Sequence, residues 1–104
     1  MHMLYTVYMT VRQMLKKRRK DVIHLASKHG ARNLRVFGSV VHEEERPDSD
    51  IDLLAILDDG VSLLDLVGLE LDLGEMLDRK VEIVDERALS PYIRENVLRE
   101  AVAL

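Results

Sequence analysis

The sequence predicts a mixed α/β fold, with a sheet of three to four strands flanked by helices. Three observations carry that expectation. The run Asp50-Ile51-Asp52-Leu53-Leu54-Ala55-Ile56-Leu57 is too continuously apolar to keep a solvated face and suits a central strand. Residues 10–29 and 63–78 carry apolar side chains at helical spacing on either side of it. A short strand, Lys80-Val81-Glu82-Ile83-Val84, follows the second helix, so the order becomes helix, strand, turn, strand, helix, strand, helix. A chain of 104 residues has room for one domain, expected over 1–104.

In the first helix, Val11, Met14, Leu15, Val22, Leu25 and Ala26 supply the apolar stripe, and Gly30 is a natural stop after His29. Leu34-Arg35-Val36-Phe37 reads as a short strand that runs into Gly38-Ser39. Residues 40–49 are acidic and lack an apolar pattern, which suits a helical turn and then a loop at Pro47-Asp48-Ser49. Asp58-Asp59-Gly60 ends the central strand. Ser62 with Asp65 forms a capping box for the second helix, whose apolar face is expected to be Leu63, Leu66, Val67, Leu73, Met76 and Leu77. Gly68 and Gly74 each weaken that helix by roughly 1 kcal/mol. Ser90-Pro91 is an N-cap with proline at the first helical position, and the last helix is expected to run to about Val102.

Composition removes several classes of function. There is no cysteine, which excludes disulfides and thiolate metal sites. The net charge of −4 does not mark the chain as a nucleic-acid binder. No apolar run approaches the roughly 20 residues of a membrane span, and the N-terminus lacks the pattern of a signal peptide. A cytoplasmic protein is expected. Arg12, Lys16, Lys17, Arg18, Arg19 and Lys20 form a basic stretch that suits a solvated helix face better than a phosphate, RNA or acidic-partner contact. The histidines are scattered, against a zinc site. The leucines of 63–77 read as core before they read as a partner surface. Tyr92 reads as half-buried packing before it reads as an adenine platform.

The chemistry sits around the central strand. Asp50 and Asp52 are two apart, so alternation puts both on one face with Cα atoms about 7 Å apart. An Asp-x-Asp pair alone is more often a solvated strand start, but acids at the mouth of an apolar strand are costly unless a cation neutralises them. Such oxygen ligands suit Mg²⁺ or Mn²⁺. Gly38-Ser39 follows a strand, where backbone N–H groups and a hydroxyl can approach a phosphate without a Cβ in the way. Glu82 has the parity to face the same side as the aspartates if its strand is a neighbour. Three carboxylates around two metal ions suit nucleotidyl transfer.

Phe37-Gly38-Ser39, ten residues, and then Asp50-Ile51-Asp52-Leu53-Leu54 resembles the GSx10DxD signature of the DNA polymerase beta-like nucleotidyltransferase superfamily. Length and C-terminal stretch resemble its smallest branch, the minimal nucleotidyltransferase (MNT) domains, over roughly residues 20–104. Arg46-Pro47-Asp48-Ser49-Asp50-Ile51-Asp52-Leu53, Lys80-Val81-Glu82-Ile83-Val84 and Ala88-Leu89-Ser90-Pro91-Tyr92-Ile93-Arg94 carry the likeness. The resemblance implies a polymerase beta-like core and the antitoxin half of a HEPN/MNT toxin–antitoxin module. It implies transfer of AMP from ATP to a tyrosine of a HEPN-domain ribonuclease toxin. Carried over, Gly38 and Ser39 would hold the nucleotide phosphates, and Asp50 and Asp52 would bind magnesium. Glu82 would be the third catalytic carboxylate.

Three positions depart from the family pattern. Glu82 stands where aspartate is usual, which moves the carboxylate by about one methylene. In the loop after Gly38-Ser39, His42 replaces an arginine, and Glu43 replaces a glycine beside a polyanion site. These departures favour an alternative, a catalytically weak MNT-fold antitoxin that neutralises its toxin by binding. Transfer to a small molecule ranks last, since such relatives usually carry an added acceptor domain. The sequence leaves the oligomeric state open.

Overall fold

The computed structural model describes residues 10–41 and 50–104. Helices α1 (Val11–Lys17) and α2 (Arg19–Lys28) lead into strand β1 (Ala31–Phe37) and a 3-10 turn over Gly38–Val40. Strand β2 (Ile51–Leu57), helix α3 (Leu63–Leu77) and strand β3 (Val81–Asp85) follow. A second 3-10 turn, Glu86–Ala88, precedes helix α4 (Pro91–Glu100) and a two-residue strand β4 (Val102–Ala103). The four-stranded sheet has the order β3-β2-β1-β4. β1 pairs antiparallel with β2 and β4, whereas β2 and β3 are parallel, joined by α3 as a parallel pair requires. The mixed α/β fold expected from the sequence is the fold observed, and no helix among the described residues is long and apolar enough to cross a membrane.

β2 is the hub. Ile51, Leu53 and Ala55 are fully buried and join a core with Val22 and Ala26 of α2, Leu69, Leu73 and Leu77 of α3, and Val81 and Ile83 of β3. Leu54, of the opposite parity, is fully buried as well, so β2 has no solvated face along its middle. The capping box forms as expected: Ser62 Oγ accepts the Asp65 N–H at 3.1 Å, and Asp65 Oδ2 accepts the Ser62 N–H at 3.1 Å. Ser90 caps α4 by accepting the Tyr92 N–H at 3.2 Å, with Pro91 in the first turn.

Four sequence expectations need correction. The first helix is two segments that meet at Arg18, which leaves helical geometry at φ −97°, ψ 12°. Its guanidinium donates to the Met76 carbonyl at 3.3 Å, and neighbouring Arg19 donates to the Leu104 carbonyl at 2.7 Å. Two of the six basic residues thus fasten the N-terminal helices to the rest of the chain. β1 starts at Ala31 rather than Leu34, because a bulge interrupts its register between Arg32 and Arg35 and holds Asn33 at φ 56°. Asparagine tolerates that left-handed geometry better than most residues.

The last helix stops at Glu100, and Val102–Ala103 pair with β1. α3 buries most of the expected face but not all of it. Leu73 and Leu77 are inside and Leu66 and Met76 pack against the core, whereas Leu63 and Val67 are exposed and Leu69, not expected there, is buried.

If β2 is the hub, Leu53→Ala lowers unfolding free energy by about 2–5 kcal/mol, and Ser62→Ala by about 1 kcal/mol. Urea denaturation of both variants checks this ranking. A Leu53→Ala cost no larger than that of Ser62→Ala contradicts the placement of β2.

Candidate active site

The sheet register builds the site. Asp52 of β2 pairs with Phe37 of β1 on one side and with Glu82 of β3 on the other. Paired residues on neighbouring strands share a face, so Glu82 lies on the face of Asp52, as its parity predicts. Asp50 precedes β2, and the Ile51 N–H beside it donates to the Lys80 carbonyl at 2.9 Å, which seats the start of β2 against the start of β3.

Burial pushes the Asp52 carboxyl above the usual range, and the charges of Glu82 and then Asp50 push it further in the same direction. Asp52 thus feels both other acids through space. The three are not, however, drawn together. Among the described residues, no group of three or more histidine, aspartate or glutamate side chains is gathered to hold a metal ion.

Lys80, which the sequence reading passed over, answers part of this charge. Its Nζ lies 3.4 Å from Glu82 Oε1 and 4.0 Å from Asp50 Oδ2. The signal was available: Lys80 stands two residues before Glu82, with the same strand parity. Asp85 lies apart from this group. It pairs with Ala55, of the core-facing parity, and its carboxyl accepts from the Arg87 backbone at 3.0 Å and from the Arg87 guanidinium at 3.2 Å. Burial would raise the Asp85 carboxyl, but those hydrogen bonds and the arginine's charge outweigh it and hold it below the usual range.

Gly38 closes the other side of Asp52. It sits at φ +76°, and a Cβ placed there would come within 2.5 Å of Asp52 Oδ2. Glycine is therefore required twice, for the left-handed backbone and for the close approach. Gly38 opens the 3-10 turn that also holds the backbone of Ser39, and the turn is closed by the Val41 N–H donating to the Gly38 carbonyl at 3.1 Å. The Gly-Ser turn and the Asp-x-Asp strand are thus brought together. His42 and Glu43 lie outside the described residues. Tyr92 is 93% exposed, so it is not the half-buried packing residue expected.

The donor chemistry fits a hard divalent cation. All three side chains offer oxygen, Asp52 is already strained by burial and repulsion, and Lys80 supplies a single positive charge between the other two. A divalent ion there would relieve the repulsion more fully than one ammonium does.

Residues 20–104 match the family described as polymerase beta, nucleotidyltransferase. The chain is 36% identical over 84 residues to a Methanocaldococcus jannaschii protein named as a protein adenylyltransferase, covering 81% of this chain and 90% of that protein. It is 38% identical over 78 residues to the protein adenylyltransferase MntA of Thermococcus cleftensis, covering 75% and 79% respectively. A solved minimal nucleotidyltransferase superposes with a TM-score of 0.81 at 47% identity, covering 94% of this chain and 99% of that one. The same fold recurs, at 22% identity and a TM-score of 0.66, in a complex of a tri-AMPylated Shewanella oneidensis HEPN toxin with its MNT antitoxin, covering 86% of this chain and 71% of that one.

The raised Asp52 carboxyl fixes the sign of a pH effect. The folded chain holds this proton more tightly than the unfolded chain, so the ionised group destabilises the fold above its folded range. That penalty vanishes as pH falls below the ordinary aspartate value of 3.8. Asp52→Asn is expected to melt higher than the parent at pH 7 in EDTA, with the gap closing near pH 3. Thermal melts at both pH values measure it. An asparagine variant that melts lower at pH 7 contradicts the repulsion.

Proposed function

The chain belongs to the polymerase beta nucleotidyltransferase family, and from that premise we propose that it is an antitoxin that transfers AMP from ATP to a tyrosine of a HEPN-domain ribonuclease toxin, in a reaction dependent on Mg²⁺ or Mn²⁺. The observation that carries this reading is the register that sets Asp52 beside Glu82 while Gly38 presses its backbone on the Asp52 carboxylate. A nucleotidyl transferase needs an acidic centre next to a backbone surface free of side chains, and this is such an arrangement. The names of the archaeal relatives and the AMPylated toxin in the Shewanella complex support the choice of AMP and of a protein acceptor.

In this mechanism Asp50, Asp52 and Glu82 would hold the cation. When bound, it offsets the triphosphate charge and orients the α-phosphate. The Gly38-Ser39 turn would receive the phosphates on its backbone N–H groups. Glu82 is the least confined of the three acids and accepts the proton of the attacking tyrosine hydroxyl. The phenolic oxygen bonds to the α-phosphorus, the bond to the β-phosphate oxygen breaks, and pyrophosphate leaves. Lys80, 3.4 Å from Glu82 Oε1, would compete with a bound cation for that oxygen.

A second reading has its own observation. The three carboxylates are not gathered, and Lys80 stands among them. That favours an antitoxin that silences its toxin by binding, without transfer.

Radiolabelled AMP transfer from ATP to the co-expressed HEPN toxin separates the two. Glu82→Ala is expected to lose about 10²- to 10⁴-fold in rate, the range of a general-base step, while ATP binding survives. Glu82→Asp is expected to retain transfer. Equal rates for parent and Glu82→Ala remove Glu82 from catalysis. A parent that transfers nothing with either metal, yet silences the toxin, establishes the binding reading.

A further inference from the structure

Helix α3 presents two apolar faces, and only one is used by the fold. Leu69, Leu73 and Leu77 are in the core. On the other side Leu64 is 83% exposed, Leu71 68% and Val67 40%. Their spacing of three and four residues makes one continuous ridge along the helix. Beside it runs a groove of about 600 Å³, floored by Val67, Leu71 and Gly74 of α3 and bounded by Lys80 and Val81 at the start of β3. Lys80 is the residue that reaches Asp50 and Glu82. Lys80 thus stands between the groove, on the α3 side of the sheet, and the candidate acids Asp50 and Glu82, of which Glu82 has the opposite strand parity to Val81.

Charge decides what can lie there. From Leu63 to Leu77, α3 carries Asp65, Glu70, Asp72 and Glu75 and no lysine or arginine. Asp65 caps the helix, Glu70 accepts the Ile83 N–H at 2.8 Å, and Asp72 faces His29 at 3.5 Å. Glu75 lies exposed at the rim of the groove, and Lys80, the cation among the groove's lining residues, is paired with Glu82 and Asp50. Two copies packed α3 against α3 would set these acids against one another. A helix with an apolar ridge flanked by lysine or arginine meets both features, the leucines and the acidic rim.

We infer that this α3–β3 groove is the docking surface for the protein acceptor, and that it receives an amphipathic, basic-flanked helix of that protein. The inference rests on the proposed transfer to a protein. Seated on α3, the acceptor meets the chain next to Lys80, and a segment of it passing the start of β3 would reach Asp50 and Glu82. Binding energy gathered on α3 would lower KM for the acceptor without touching the reacting groups.

The test uses the full-length chain with the co-expressed HEPN toxin as probe, and the double variant Leu64→Glu/Leu71→Glu. Both leucines are exposed, so the core is untouched, and circular-dichroism melting with ATP titration checks the fold and nucleotide site. The double variant is expected to bind the toxin at least about tenfold more weakly, the scale of a central apolar anchor. Its KM for the toxin rises while kcat at saturation and ATP affinity hold. Glu75→Arg, which disturbs no packing, is expected to weaken toxin binding several-fold and supplies an independent reading should the double variant melt early.

Unchanged toxin affinity in the double variant overturns the inference, as does unchanged affinity in Glu75→Arg for the basic flank. A parent dimer that the double variant dissolves, with toxin affinity unaltered, overturns it in favour of a second copy. Toxin binding that depends on Leu64 and Leu71 in a parent that transfers no AMP upholds the docking surface and refutes the transferase reading alone.

Discussion

Parallel pairing of β2 with β3 sets Asp52 beside Glu82, and this register governs the charge of the whole site. Two carboxylates on adjacent strands repel, and a third at Asp50 adds to the repulsion. Such a cluster opposes folding unless something positive is supplied. The chain supplies a part of it with Lys80, through ion pairs that are largely solvent-exposed and therefore weak. A divalent cation would supply the remainder. The rest of the fold makes this tolerable: Ile51, Leu53, Leu54 and Ala55 are wholly buried around the acids and hold β2 in place. Stability is concentrated where the charges are, so that the charges cannot relax by moving the strand.

The same division of labour extends outward. α3 secures β2 to β3 through Leu69, Leu73 and Leu77, and so fixes the register that aligns the acids. By contrast α4 buries no residue fully. Polar bonds hold it: Arg94 donates to the Glu86 carbonyl at 2.8 Å, and the Glu86 carboxylate pairs with Arg35 of β1 at 2.6 Å. Directional contacts of this kind position an element without giving it much share in the core. The N-terminal helices are fixed in both ways, by Val11, Leu15, Val22 and Ala26 inside and by Arg18 and Arg19 reaching to carbonyls.

How far the sequence spoke depended on whether a pattern was local. β2 was legible because seven successive apolar or acidic residues admit no other arrangement, and the caps at Ser62 and Ser90 because capping chemistry is confined to a few residues. Glu82 was legible by strand parity once β2 and β3 were assigned. β1 was half legible: its buried residues are Ala31, Leu34 and Val36, a spacing of three and then two that the bulge at Asn33 produces and that hides an alternating strand. β4 was illegible, since two residues carry no period and only β1 as a partner defines them. The buried face of α3 was only partly legible: Leu73 and Leu77 were expected inside, but Leu63 and Val67 were wrongly included and Leu69 left out, because leucine occupies nearly every side of that helix. Lys80 was passed over because its importance lies in two acids that the register brings within reach.

Direct titration of Mn²⁺ followed by electron paramagnetic resonance tests the central claim, that Asp50, Asp52 and Glu82 together attract a divalent cation. The account predicts that the parent binds Mn²⁺, that Asp52→Asn and Glu82→Gln each weaken binding at least about tenfold, in line with the loss of a charged ligand, and that Lys80→Met strengthens it. Mn²⁺ binding that is absent in the parent in the presence of ATP, or indifferent to both acid substitutions, would contradict it.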